Sequence, residues 1–162
     1  MVKSSATGTH YLLQVRDFDH ERTALNSASL IRFRPEHISS AQPIQPGEIL
    51  FLAKGAKNFA CALSDPPTPA LAASYFFVIR PEAHVQPAFL AWFLNQPPTL
   101  RALSRSATSG HMPVIRRADI ENILVTVPPP PLQRAIVELD KLMREEQSLL
   151  QELAKKKKEL IS

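Results

Sequence analysis

The chain changes character at one stretch, Val127-Pro128-Pro129-Pro130-Pro131-Leu132. Proline fixes φ and has no backbone N–H, so four prolines in succession interrupt regular structure and form a stiff joint. On one side of this joint the sequence has short apolar segments with polar punctuation, and on the other side it has helix-forming residues only. We therefore predict a mixed domain over residues 1–130 and a long helix over residues 131–162.

The segment after the joint contains neither Gly nor Pro from Leu132 to Ser162. It is rich in Leu, Glu, Lys, Gln and Arg, which favour helix, and it predicts one helix of about 45 Å. A row of residues at alternating spacings of three and four, which we call the helix seam, consists of Leu132, Ile136, Leu139, Met143, Glu146, Leu150, Leu153, Lys157 and Leu160.

The helix seam is apolar except at Glu146 and Lys157. A compact domain of this size cannot cover so long a helix, so part of the seam is expected to meet another helix, in a second copy or in another protein. The alternative is a helix that folds back on its own core. The residues predicted to carry self-association are Ile136, Leu139, Met143, Leu150 and Leu153.

The region before the joint predicts an α+β fold, a strand-rich mixed domain ahead of the long C-terminal helix. Segments rich in Val, Ile, Leu, Phe and Tyr predict strands at 11–15, 30–33, 48–53, 74–80 and 122–127. Helices are predicted at 87–95, 99–106 and 118–122, the first of them opened by a proline.

Composition argues against most enzyme classes. The 162 residues include only 4 glycines, and none opens a phosphate-binding loop. No nucleophile elbow or metal-ligand spacing occurs, and the single cysteine, Cys61, sits in an apolar run. We therefore expect a non-catalytic protein with no cofactor and no metal. No membrane span or leader is expected either, so the expected location is the cytoplasm.

One short acidic segment allows two interpretations. Asp17, Asp19 and Glu21 alternate along the chain, which could place carboxylates on one side of an extended segment, as in a metal site. A solvated turn is the alternative, and it is favoured because no glycine-punctuated ligand loop follows.

Positive charge is concentrated in one region of the chain, although the net charge is only +4. No Asp or Glu occurs from Ala83 to Ala118. Arginine binds phosphate oxygens and reads guanine edges, so this acid-free arc predicts contact with DNA. Pairing of the arginines with Glu82, Asp119 or Glu121 is the alternative. The candidate contact residues in the arc are Arg101, Arg105, His111, Arg116 and Arg117.

A second basic segment follows the predicted strand at 48–53. Lys54, Lys57 and Asn58 surround Gly55 there. The glycine allows close backbone approach, and asparagine can pair with adenine, so these three residues are further candidates for DNA contact. An ordinary solvated turn is the alternative interpretation.

A succession of short motifs runs from Pro46 to Gln133, with Lys54-Gly55 after the first of them. In order they are Pro46-Gly47-Glu48-Ile49-Leu50-Phe51, Tyr75-Phe76-Phe77-Val78-Ile79, Phe89-Leu90-Ala91-Trp92-Phe93-Leu94-Asn95, Ser109-Gly110-His111-Met112-Pro113-Val114-Ile115, Ala118-Asp119-Ile120, Ile123-Leu124-Val125-Thr126-Val127 and Pro128-Pro129-Pro130-Pro131-Leu132-Gln133. This order resembles the target recognition domain of type I restriction-modification specificity subunits, over roughly residues 11–162.

The resemblance implies a domain that reads double-stranded DNA, followed by a helix that acts as spacer and docks methyltransferase subunits, and through them a restriction subunit. Family members usually carry two recognition domains and two such helices, whereas this chain has one of each. The resemblance therefore implies a half-length subunit that pairs with a second copy and reads a bipartite, palindromic target. The alternative function is an interaction module that assembles with a methyltransferase or sister subunit and does not read DNA.

Overall fold

A computed structural model describes residues 8–19, 21–26, 29–35, 42–55, 57–108, 110 and 112–161. The chain divides into two compact units, Met1–Thr126 and Val127–Ser162, and the predicted boundary is between residues 130 and 131. Within the described residues, the first unit holds two sheets, three α-helices and a short 3-10 helix, Val15–Asp17, and the second holds one long helix. The predicted mixed α+β fold with a long C-terminal helix is confirmed.

Six short strands form two sheets of three strands each. In the first sheet the order is β2-β1-β5, with β1 antiparallel to β2 and parallel to β5. In the second sheet the order is β4-β3-β6, and both pairs are antiparallel. The strands are β1 His10–Leu13, β2 Ile31–Phe33, β3 Ile49–Leu52, β4 Ala60–Ala62, β5 Ala70–Ala72 and β6 Phe76–Ile79.

Strand β3 lies at the centre of the first unit, and all four of its residues are buried. Leu50 and Leu52 belong to a core cluster shared with the first sheet. Ile49 and Phe51 belong to a second cluster, shared with the helices. Because successive side chains of a strand point to opposite faces, β3 contributes to two apolar layers at once. This explains why it reads as an unbroken apolar run.

Three helices cover the outer face of the second sheet: α1 Pro87–Leu94, α2 Pro97–Ser106 and α3 Arg117–Glu121. Helices α1 and α2 each begin with proline at a position where a missing N–H costs nothing. Asn95 ends α1, and its side-chain amide bonds both backbone groups of Ala60, at 2.8 Å to N and 2.7 Å to O. Asn95 thereby joins α1 to β4.

Four predicted strands are confirmed with shifted ends, and one prediction is wrong. The segment 122–127 forms no strand, because Asn122 ends α3 and no described strand pairs with residues 123–127. Its β-branched residues still give a strand-like alternation, in which Leu124 is 94% exposed between half-buried neighbours. Strands β4 and β5 are not predicted, since they are three residues long and rich in alanine, a weak strand former.

The second unit contains helix α4, Pro130–Ile161, with 32 residues and a length of about 48 Å. It begins one residue before the predicted start at 131, because proline is tolerated in a first turn. Ion pairs at spacing four support it, with Asp140 to Arg144 at 2.7 Å and Glu152 to Lys156 at 2.8 Å. Within the described residues, no helix combines the length and apolar character needed to cross a membrane.

Candidate nucleic-acid interface

The basic turn after β3 presents two lysines to solvent. Lys54 and Lys57 are exposed, and neither forms an ion pair with a carboxylate in the described ranges. Between them Gly55 has φ +108°, and nothing lies within 4 Å of the place a Cβ would occupy. Glycine is therefore required here by backbone conformation rather than by space. The turn is built so that the two ammonium groups point outward.

The loop before α3 is bonded directly to this turn. Lys54 lies opposite Val114 in an antiparallel bridge. Gly55 N donates to Pro113 O at 2.9 Å, and Ile115 N donates to Ala53 O at 2.9 Å. Ile115 is 1% exposed and packs in the cluster beneath the helices. The bridge thus fixes the segment before Arg116, near the end of the acid-free arc, beside the lysine turn.

Helix α2, which precedes the same loop in the sequence, carries two further arginines. Leu103 is buried against the second sheet, which leaves Arg101 and Arg105, one turn apart, exposed. Neither arginine pairs with a carboxylate among the described residues. Just beyond the helix, Thr108 N donates to Val114 O at 3.0 Å. The end of α2 therefore meets the same loop that meets Lys54.

Arg116 and Arg117 lie at the start of α3, and both are ion-paired. The Arg116 guanidinium makes two bonds of 2.9 Å to Asp119, and Arg117 Nε lies 2.6 Å from a Glu121 oxygen. The hydrogen bonds from Arg116 hold the pKa of Asp119 below its usual value, and the pKa of Arg116 is raised in return. The predicted pairing of arginines with acids thus applies to these two and not to Arg101 or Arg105.

We call the assembled feature the basic surface. It contains six cationic side chains, of which two are balanced by carboxylates and four have no acidic partner within the described ranges. The two segments that form it are more than 40 residues apart in the sequence and are joined by the Lys54–Val114 bridge. Its members are Lys54, Lys57, Arg101, Arg105, Arg116 and Arg117.

One other predicted contact residue, Asn58, is used within the fold. The side chain of Asn58 is half-buried and donates to Leu52 O at 2.9 Å. It therefore closes the turn after β3, the ordinary structural use of asparagine in such a position. His111 lies outside the described residues.

The acidic segment before β2 is a structural turn. Asp17 is fully buried and accepts bonds from Gln14 N at 2.7 Å and from the Ser29 hydroxyl at 3.1 Å. Asp19 accepts bonds from Thr23 N and from the Thr23 hydroxyl, at 2.6 and 2.9 Å. In the described ranges no three His, Cys, Asp or Glu side chains are grouped to hold a metal ion. These contacts are those of a turn. The expected solvation is wrong for Asp17, because its carboxylate is buried and hydrogen-bonded within the segment.

One basic residue beside this surface is missing from the sequence prediction. Arg22 Nη1 donates to the backbone oxygen of Lys57 at 2.8 Å. The two residues are 35 positions apart, and Arg22 lies in an acidic segment, so no local signal links it to the turn. Only the fold places it beside Lys57.

Helix α4 exposes the apolar side chains of the predicted seam. Leu139, Met143, Leu150 and Leu153 are each more than half exposed, and Ile136 is half-buried. Leu142 and Leu149 are also exposed, at 52% and 67%. We call these two the outer row. They lie beside the seam and widen the apolar face to about 140° of the helix circumference.

The comparisons with known proteins give no relative: no protein-family model matches this chain, and no curated protein matches it.

Proposed function

We propose that this chain is a non-catalytic, cytoplasmic subunit that recognises double-stranded DNA for a type I restriction-modification system. In this proposal the first unit reads DNA through the basic surface, and α4 joins two copies and docks methyltransferase subunits. Methyl transfer and cleavage belong to those partner chains, the cleavage to a restriction subunit that they recruit.

The observation that carries the proposal is the bridge between Lys54 and Val114. It brings together two basic segments that the sequence keeps apart. Four cations of these segments have no acidic partner among the described residues. A DNA backbone presents a row of phosphates, and each Lys or Arg that neutralises one releases a counterion. A concentrated group of unpaired cations is what such a ligand requires.

The members of the basic surface are suited to different parts of DNA recognition. Lys54 and Lys57 are point charges on flexible stems, which favours contact with phosphates. Arg101 and Arg105 present planar forks on a helix, and such forks bind phosphate or the O6 and N7 atoms of guanine with two bonds. Arg116 and Arg117 already bond carboxylates, so they supply less net charge.

The helix seam supports pairing of two copies. The seam residues of α4 are exposed in the single chain, and an apolar row at spacings of three and four is the pattern that packs two helices together. Pairing through one helix gives two-fold symmetry, and two reading units related in this way recognise a palindromic, bipartite site.

The outer row supports docking of a further helix. One partner helix covers an apolar seam of two residues in every seven, about one in each turn. The face of α4 is broader than that, because Leu142 and Leu149 flank the seam. A second helix, from a methyltransferase subunit in this proposal, is needed to cover the whole face.

Binding to mixed-sequence duplex DNA, measured by fluorescence anisotropy across a salt series, tests the proposal. Four unpaired cations predict a loss of affinity of roughly a hundredfold between about 50 and 200 mM salt. Selection from a randomised duplex pool then reports whether a bipartite palindrome is enriched. Affinity that is independent of salt, or absent at low salt, contradicts a role in DNA binding.

The second candidate is an interaction module that binds a methyltransferase or sister subunit and does not read DNA, and the exposed face of α4 is the observation that favours it. Charge reversal at Arg116 and Arg117, combined with reversal at Arg101 and Arg105, separates the two functions. DNA reading predicts that the variant loses DNA affinity and still assembles with its partners. The interaction module predicts that neither property changes.

A further inference from the structure

Arg22 adopts a backbone conformation that its residue type disfavours. Its φ is +59°, and it is the one non-glycine residue with positive φ within the described ranges. A left-handed conformation is unfavourable for a residue with a Cβ, whereas glycine adopts it freely. An arginine at such a position directs attention to the contacts of its side chain.

The turn around Arg22 is held by neighbours on both sides. Arg22 N donates to Asp19 O at 3.0 Å, and Asp19 N donates to Ala24 O at 3.0 Å. Phe18 and Leu25 close the turn in an antiparallel bridge. The Asp19 carboxylate is bonded to Thr23 and Ala24. The backbone therefore determines where the Arg22 side chain departs.

The Arg22 side chain is directed to the basic turn. Its guanidinium carbon lies 4.9 Å above the ring centre of Phe59, and Nη1 donates to Lys57 O. Phe59 is 4% exposed and packs edge-on against Phe18, with ring centres 5.3 Å apart. A guanidinium fixed by a ring face and one backbone oxygen still has other N–H donors of its five.

We propose that Arg22 is a phosphate contact of the bound DNA and extends the basic surface beyond Lys57. The proposal rests on the proposed function, because it assumes that DNA lies over this surface. Arg22 forms no ion pair with any described carboxylate, so its charge is available to a phosphate. Its fixed position reduces the entropy lost when the phosphate binds.

The acidic neighbours of Arg22 provide a second test of the phosphate contact. Asp19 directs its carboxylate into the turn, where three donors bond it. Glu21 is exposed beside Arg22 and would lie close to the same phosphate. Removal of the Glu21 charge should therefore tighten DNA binding, in the opposite direction to removal of the Arg22 charge.

The variant Arg22→Gly tests the contact, because glycine adopts φ +59° without strain and the turn is kept. We expect its affinity for mixed-sequence duplex DNA to fall roughly three- to tenfold and its salt slope to decrease by about 1. Arg22→Lys should recover part of the loss, and Glu21→Gln should raise affinity about twofold. Arg16→Ala is the control. Arg16 is an exposed cation of the same segment, but its charge is already paired with Asp17 at 3.8 Å, so its removal should leave the salt slope unchanged.

The outcomes separate this inference from the proposed function. If the unmodified protein binds DNA with the expected salt dependence but Arg22→Gly keeps its affinity and slope, the phosphate contact is wrong and the proposed function stands. The contact is also wrong if Arg16→Ala loses as much affinity as Arg22→Gly, or if Glu21→Gln weakens binding. If the unmodified protein does not bind DNA at any salt concentration, the proposed function fails and the inference fails with it.

Discussion

Lys54 and Val114 face each other in an antiparallel bridge, although 60 positions separate them. The hydrogen bonds on either side of the bridge, from Gly55 N to Pro113 O and from Ile115 N to Ala53 O, are both 2.9 Å long. This contact joins the turn after β3 to the loop before α3. It places the lysine pair of that turn beside the segment that leads to Arg116 and Arg117.

Charge reversal at the unpaired arginines of α2 should weaken DNA binding. Arg105→Glu replaces a cation that has no acidic partner in the described ranges, so it loses one phosphate contact and adds repulsion. We expect a loss of about tenfold in anisotropy titrations at low salt and a salt slope smaller by about 1. Lys155→Glu changes the net charge equally on α4 and should have little effect. Equal losses in both variants would mean that net charge alone governs binding.

A charge placed on the helix seam should prevent self-association. Leu150 is 58% exposed on α4, and Leu150→Asp would bury a carboxylate at a helix–helix contact, which costs several kcal/mol for an unpaired ion. Sedimentation velocity should show dimer for the unmodified chain and monomer for the variant. Gln151→Asp adds the same charge away from the seam and should remain dimeric. A monomeric unmodified chain would contradict the pairing of two copies.

The side-chain amide of Asn95 should raise the free energy of unfolding. Its two bonds to Ala60 are the only ones that these buried backbone groups make to a side chain in the described ranges. Asn95→Ala leaves both groups unpaired and should lower the free energy of unfolding by about 2 kcal/mol in urea titrations. Asn122→Ala is a matched control, since Asn122 also ends a helix but makes only an exposed bond to Ala118 O. Its cost should stay below about 0.5 kcal/mol.

The thiol of Cys61 should react only when the chain unfolds. Burial raises the pKa of Cys61 to about 12, and the charge of Asp19 adds to the effect. At pH 8 the thiolate fraction is then on the order of 10⁻⁴, so alkylation by iodoacetamide should be about 10³-fold slower than for an ordinary cysteine. The rate should rise through the urea unfolding transition. Rapid alkylation of the folded protein would contradict this burial.

The ion pair between Asp119 and Arg116 should make stability depend on acid pH. The hydrogen bonds from Arg116 lower the pKa of Asp119 from 3.8. A carboxyl whose pKa is lower in the folded state contributes stability that is complete above its unfolded pKa and is lost as pH falls through its folded pKa. Unfolding titrations below about pH 4 should show this loss. The variant Asp119→Asn should lack it.

Helix α4 is the part of the fold that the sequence determined most completely. An uninterrupted run of helix-forming residues without Gly needs no distant partner to become a helix, because the hydrogen bonds lie within the segment. The proline joint placed its start within two residues, and the spacing of the leucines predicted which face is apolar. The outer row was outside that prediction, because Leu142 and Leu149 each lie one position before a seam residue.

The strands show that the strand propensity of a segment does not by itself predict whether the segment pairs in a sheet. Residues 123–127 have strand-forming side chains and remain unpaired, whereas Ala60–Ala62 and Ala70–Ala72 have weak propensity and form strands. A strand exists only where a neighbour offers a complementary edge, and that depends on residues far away in the sequence. The candidate site has the same dependence.

The sequence by itself determined the α+β class, the long helix and the identity of most cations in the basic surface. Only the tertiary structure decided that Lys54 and the arginine loop meet, that Asn58 turns inward to Leu52, and that Arg116 and Arg117 are paired while Arg101 and Arg105 are not. It also brought Arg22 to Lys57. Helix propensity and charge are properties of single residues and their near neighbours, whereas a shared surface depends on contacts between segments that the chain keeps apart.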